Sequence, residues 1–170
     1  MVDDKNKDDV EVAKLWTRDY SLFLSDGTFN AVATDIEIVG KDSYIAGEKH
    51  FQIEPYEVFY WKNLVLHNLP GSKYFEQGSI CVDNSDVYVA ASYDIQMGSK
   101  AVYWKNDTIV PIDVAGDRVE VNDIAVRNKD VYLVGRRKSH AAYWKNGVHF
   151  ALPTSPNDLS STANAIFITK

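Results

Sequence analysis

The sequence predicts an all-β fold of repeated four-stranded units, and three observations carry that expectation. The phrase Tyr-Trp-Lys-Asn occurs three times, at Tyr60–Asn63, Tyr103–Asn106 and Tyr143–Asn146. A second phrase keeps step with it: Asp42-Ser43-Tyr44-Ile45-Ala46-Gly47, Asp86-Val87-Tyr88-Val89-Ala90-Ala91 and Asp130-Val131-Tyr132-Leu133-Val134-Gly135, with its tyrosines 44 residues apart. No long stretch has a helical period, whereas short Ile/Val/Tyr-rich runs are bounded by Gly, Pro, Ser and Asn. Self-similarity at such a period marks a repeat architecture whose units stabilise one another by stacking.

Each unit divides into four strands, A to D. Strand A is a short apolar run: Asp35–Val39, Ser79–Val82, Asp123–Val126 and a fourth copy, Ala165–Ile168. A turn follows (Gly40-Lys41, Asn84-Ser85, Asn128-Lys129), and the Asp-x-Tyr phrase is strand B. Both faces of Val87-Tyr88-Val89-Ala90 are apolar, as in a strand covered on both sides. Strand C is the Tyr-Trp-Lys segment, where alternation places Val102 and Trp104 on one face and Tyr103 and Lys105 on the other. Asn146-Gly147 favours a tight type I′ turn into strand D, Val148–Leu152. The other copies, Asn63-Leu64 and Asn106-Asp107, lack that glycine.

Four-stranded units of about this length are the blades of a β-propeller, whereas a β-sandwich would not repeat the same side chains at the same points. The expected architecture is β-propeller-like, with about four blades of four short antiparallel strands. Residues 1–8 read as a disordered acidic tail and 9–170 as a single repeat domain. Its units span approximately 30–70, 76–112 and 120–152, and a last blade combines 9–24 with 162–170. Trp16 takes the tryptophan position of that blade and Ser21–Leu24 its D strand. Its B strand is missing unless Asp9–Val12 serves. The alternative is an arc of a larger propeller. All four tryptophans, Trp16, Trp61, Trp104 and Trp144, share one repeat position and read as packing between blades rather than as a ligand cage, and Tyr44, Tyr88 and Tyr132 share another and read as structural repeat residues.

Bulk properties narrow the function classes. The formal charge of −6 argues against a nucleic-acid partner, which selects a basic stripe. No run approaches the roughly 18 apolar residues of a membrane span, and residues 1–10 have no apolar core of a signal peptide. The one cysteine, Cys81, has no disulfide partner within the chain and reads as a small buried apolar residue.

The pairing of Tyr-Trp-Lys-Asn-Gly with Asp-Val-Tyr-Val-Ala-Gly, over roughly residues 13–170, resembles a family of bacterial tandem-repeat proteins that are mostly uncharacterised and often exported. The resemblance implies a propeller and an extracytoplasmic location, and it transfers no catalytic residue. Members of that family are usually longer and carry an export signal or lipid anchor, which this sequence does not show.

Strand direction alternates within a blade, so the A–B and C–D turns lie at one end and the B–C and D–A loops at the other. The second set is long and different in every repeat: Glu48–Glu57, Ser92–Lys100 and Arg136–His140, with Ser25–Asn30, Pro70–Gly78, Asp113–Glu120 and Pro153–Thr162. Function favours variable loops on a rigid frame. Candidate ligand contacts there are Lys49, His50 and Tyr56; Tyr74 and Phe75, beside Lys73; Tyr93; and Arg136 with Arg137, in the only basic run, suited to a carboxylate or phosphate. Solvated loop residues are the competing reading of each.

Catalytic signals are sparse. His50, His67, His140 and His149 form no metal-ligand spacing, and no metal or cofactor is expected. Asp35 and Asp123 recur just before strand A, near the mouth of a propeller channel. There they read either as strand-start aspartates or as paired carboxylates for acid–base work. The expected function is a non-enzymatic binding or scaffold module for a protein, peptide or glycan, with self-association as a further option. The alternative is a carboxylate-dependent hydrolase or lyase near the channel.

Overall fold

The computed structural model describes residues 10–50, 56–95, 98–112 and 116–169. The expected acidic tail, 1–8, lies outside them. The described chain is all-β and propeller-like. β1 (Lys14–Trp16) and β2 (Ser21–Phe23) form a two-stranded hairpin. Three four-stranded antiparallel sheets follow, each in sequential order. The first holds β3 (Asn30–Val39), β4 (Asp42–His50), β5 (Glu57–Lys62) and β6 (Val65–Lys73). The second holds β7 (Glu76–Asp83), β8 (Asp86–Ile95), β9 (Gly98–Lys105) and β10 (Thr108–Ile112). The third holds β11 (Val119–Arg127), β12 (Asp130–Arg137), β13 (His140–Lys145) and β14 (Val148–Ala151).

The repeated polar residues form one clamp in all three sheets. In the second, the Asn106 side chain accepts from Val87 N (3.0 Å) and donates to Asp86 (3.1 Å), while Lys105 Nζ lies 2.7 Å from Asp86 and over the Tyr88 ring. In the third, Asn146 accepts from Val131 N (2.8 Å) and donates to Asp130 (2.8 Å), with Lys145 over Tyr132. In the first, Asn63 bonds Ser43 N and Asp42, and Lys62 covers Tyr44. Strand B's start is thereby tied to strand C's end. Type I′ turns also form without glycine: Asn63 and Leu64 both have positive φ, as do Asn128 and Lys129. The clamp supplies what the turn residues lack.

The sheets stack face to face through the tryptophans. Trp104 packs on Tyr44, Ala46, Val58 and Tyr60 of the first sheet. Trp144 packs on Tyr88, Ala90 and Ala101 of the second. Trp61 packs on Ala13 and Leu24 beside the N-terminal hairpin. The two interfaces between four-stranded sheets set the indole face of one sheet against the tyrosine-bearing face of the one before it, whereas Trp61 meets the aliphatic face of the hairpin. Gly47 and Gly135 sit where a Cβ would collide with the Trp61 ring and with the Glu120 carbonyl, respectively.

Three expectations need correction. Trp16 is 73% exposed, not packed like its repeats, all of which are buried. Its side of the hairpin faces away from the first sheet, and the Lys14 ammonium lies over its ring, 5.9 Å from the centroid. The fourth A strand, Ala165–Ile168, is not a strand, and Val10–Val12 forms no B strand; without strand B, A has nothing to pair with. The loops at the B–C and D–A end are shorter than read. Pro70–Lys73, Glu76–Gly78, Ser92–Ile95, Gly98–Lys100 and Arg136–Arg137 are all in strands. Polar residues extending a ladder beyond the core resemble loop in sequence. Pro70 and Pro111 lie in the D strands, which are edge strands and so tolerate a residue without N–H.

Candidate functional site

Two regions merit a chemical reading: the channel between the inner strands, and the B–C and D–A end. The channel is lined by Thr34 and Asp35, Gly78 and Ser79, Asn122 and Asp123, and by Asn164 and Ala165, around a cavity of about 520 Å³. The ladders of β3, β7 and β11 each slip just before the lining residue, between Ala33 and Asp35, Glu76 and Ser79, and Val121 and Asp123. Such bulges re-aim the next side chain.

Here they aim the carboxylates at the neighbouring sheet. Asp35 accepts from its own Ile36 N (2.7 Å) and from Ile80 N (2.8 Å) one sheet on. Asp123 accepts from Ile124 N (2.8 Å) and from Ile166 N (2.8 Å) in the C-terminal segment. Ser79 Oγ lies 2.8 Å from an oxygen of each aspartate, and its one proton can be donated to either of them. Deeper along the inner strands, Glu37 accepts from Val82 N. Burial raises the Glu37 carboxyl above its ordinary range and, with the Glu37 charge beside it, pushes the Cys81 thiol up to about 12. Cys81 is half-buried rather than enclosed. The substitution of serine for aspartate in the second unit supplies the donor that two facing carboxylates need. Its signal in the sequence was the repeat position itself.

The sequence candidates at the other region form three separate clusters. Tyr74, Phe75 and Tyr93 do come together. Tyr74 and Tyr93 have ring centroids 6.3 Å apart, Phe75 sits edge-on to Tyr93 at 5.1 Å, and Lys100 Nζ lies 5.6 Å from the Tyr93 centroid. Tyr74 occupies the two-residue turn between β6 and β7 with φ of 75°, which turns its ring outward. With Lys73 these residues border an open groove of about 510 Å³ whose floor is Val102, Ile109 and Pro111. Sequence reasoning missed Lys100, because it reads as the last residue of a loop until the hairpin brings it over Tyr93.

The second cluster lies at the rim of the first sheet. Lys49 pairs with Glu57 at 2.7 Å, His50 lies 3.2 Å from Glu11, and the His50 and Tyr56 rings are 5.4 Å apart. The third is the basic run. Arg136 donates to Glu120 (2.8 Å) and Arg137 to Asp117 (2.8 Å), with Lys138 also 3.2 Å from Asp117. Hydrogen bonds from Lys138 and Arg137 hold the Asp117 carboxyl below the usual range. These arginines therefore meet carboxylates of their own chain, which weakens the reading of an open anion site.

Among the described residues no group of three or more His, Cys, Asp or Glu side chains is placed to hold a metal ion, and no helix is long and apolar enough to cross a membrane. Comparison with known proteins finds no matching family model, curated protein or solved structure.

Proposed function

We propose that the protein is a non-enzymatic binding module that recognises a peptide, protein or glycan at its B–C and D–A end, with the groove between Tyr74 and Tyr93 as the contact surface. The supporting observation is the groove itself. An exposed ring in the β6–β7 turn, a half-buried ring and two lysines on strands border an apolar floor. Aromatic faces with little conformational freedom, flanked by cations, are economical contact surfaces for a polar chain. The alternative of a carboxylate-dependent hydrolase or lyase at Asp35 and Asp123 has less support. Both carboxylates already accept main-chain N–H groups from two segments. The lining of their cavity includes no histidine or lysine to share proton transfer. A screen of glycans and peptides against the whole chain, repeated with Tyr74→Ala and Lys100→Ala, tests the proposal. Binding that falls about tenfold or more in both variants supports it. Binding unchanged in both, or hydrolysis lost in Asp35→Asn, overturns it.

A further inference from the structure

The stacking rule of the fold leaves two complementary surfaces without partners. At two interfaces, an indole face is set against the tyrosine-bearing face of the preceding sheet. Among the described residues the N-terminal hairpin presents a largely open indole face: Trp16 is 73% exposed, with the Lys14 ammonium over its ring, whereas Trp104 and Trp144 are 0% exposed. The third sheet presents a tyrosine-bearing face that is only partly covered. Tyr132 is half-buried there, while Tyr44 and Tyr88, at the same repeat position, are buried; Tyr143 shares that face and is half-buried, as is its repeat Tyr103.

Two further observations locate the same gap. Ile36 on β3 is 47% exposed, whereas its repeats Ile80 and Ile124 are each 4% exposed. What covers Ile80 and Ile124 is the inner half of the preceding sheet, and among the described residues the two-stranded hairpin preceding β3 has no A or B strand to do the same. Ala165–Ile168 is an A-type segment, already tied to Asp123 through Ile166 N in the way Ile80 N is tied to Asp35, and its Phe167 is 87% exposed.

We propose that the chain associates head to tail with a second copy of itself. The Trp16 face of one copy seats on the Tyr132 and Tyr143 face of the other, and the Ala165–Ile168 segment of that copy lies against Ile36. Continuity with the internal interfaces selects this occupant. The kind of surface that covers Trp104 and Trp144 within the chain exists, only partly covered, on the third sheet of the same chain. The contact is heterologous, using different surfaces on the two copies, and two such contacts related by a two-fold axis close a ring. An open face of this kind that finds no partner is an aggregation liability.

Light scattering and sedimentation of the 170-residue chain test the inference. Wild type is expected at two or more times the 19.2 kDa chain mass. Trp16→Asp should weaken association by at least about 30-fold, the cost of losing an indole hot spot, with far-UV circular dichroism unchanged because Trp16 is exposed in the single chain. Tyr143→Asp should do the same from the other side. Mixing the two variants restores one intact contact and therefore a two-chain species, which an isologous contact would not do. A wild-type mass of one chain up to high concentration overturns the proposal. So does association that survives Trp16→Asp, or variants that fail to complement when mixed.

Discussion

Replacing Trp104 by alanine removes the side chain that joins the first and second sheets, and the structure sets the size of the loss. The indole is fully buried among Tyr44, Ala46, Val58 and Tyr60, and it meets Phe75 edge-on at 5.4 Å. Its Nε1 donates to the Pro70 carbonyl at 2.8 Å. Truncating a buried tryptophan costs about 3–5 kcal/mol, and the orphaned carbonyl adds about 1 kcal/mol. A total of about 4–6 kcal/mol is a large share of the roughly 5–15 kcal/mol that holds a domain folded. At about 2–4 °C per kcal/mol for a chain of this size, thermal unfolding should shift down by at least about 8 °C. Trp104→Phe should recover part of the loss, because it keeps a ring and forfeits only the hydrogen bond and some contact. Val65→Thr, at a 61% exposed position, serves as the control and should change stability by less than about 1 kcal/mol. Urea unfolding followed by circular dichroism gives all three values. A Trp104→Ala midpoint within error of the Val65→Thr midpoint would refute the role assigned to stacked indoles.

Three other perturbations test separate parts of the account. Asn106→Ala leaves Val87 N without its acceptor and should cost about 1–2 kcal/mol in urea unfolding, with a comparable value for Asn146→Ala at the equivalent clamp. Hydrogen bonds from Lys105 and Asn106 hold the Asp86 carboxyl below the ordinary aspartate range, and Lys145 and Asn146 do the same to Asp130. A depressed carboxyl stabilises the fold above its unfolded pKa, and that contribution is lost as pH falls through the lower folded value, so the double variant Asp86→Asn/Asp130→Asn should flatten the acid limb of the stability curve below about pH 4. Cys81, with its thiol pushed up to about 12, should react with a thiol reagent at pH 8 only in denaturant, and rapid labelling of the native chain would contradict its placement against Glu37.

Much of the fold was legible because the same side chains recur where the same contacts form. Asp, Tyr, Lys and Asn of the two phrases are the members of one clamp, so their spacing encoded the B–C hairpin. Trp61, Trp104 and Trp144 encoded the stacking. What the repeat could not convey was whether each position found its neighbour. Trp16 carries the same residue type as the buried three, and its exposure depends on a surface outside the hairpin that holds it. Strand ends were misjudged for a related reason. Lys73, Glu76 and Lys100 pair through the main chain, which any side chain permits, so their polarity suggested loop. At the channel, Asp35 and Asp123 read first as strand-start aspartates with a catalytic pair as the alternative, and the contacts with Ser79 and the Ile80 and Ile166 amides are not visible in sequence. The groove at Tyr74 and Tyr93 joins residues from two sheets, and no local pattern announces such a meeting.

Native-state amide hydrogen exchange offers the most direct test that three like-built sheets are stacked and cemented through their B and C strands. The account predicts that the slowest amides fall together in Tyr44–Gly47, Tyr88–Ala91 and Tyr132–Gly135, with the facing C strands close behind. Any one of those three segments exchanging as fast as residues 153–160, which carry no strand, would contradict it.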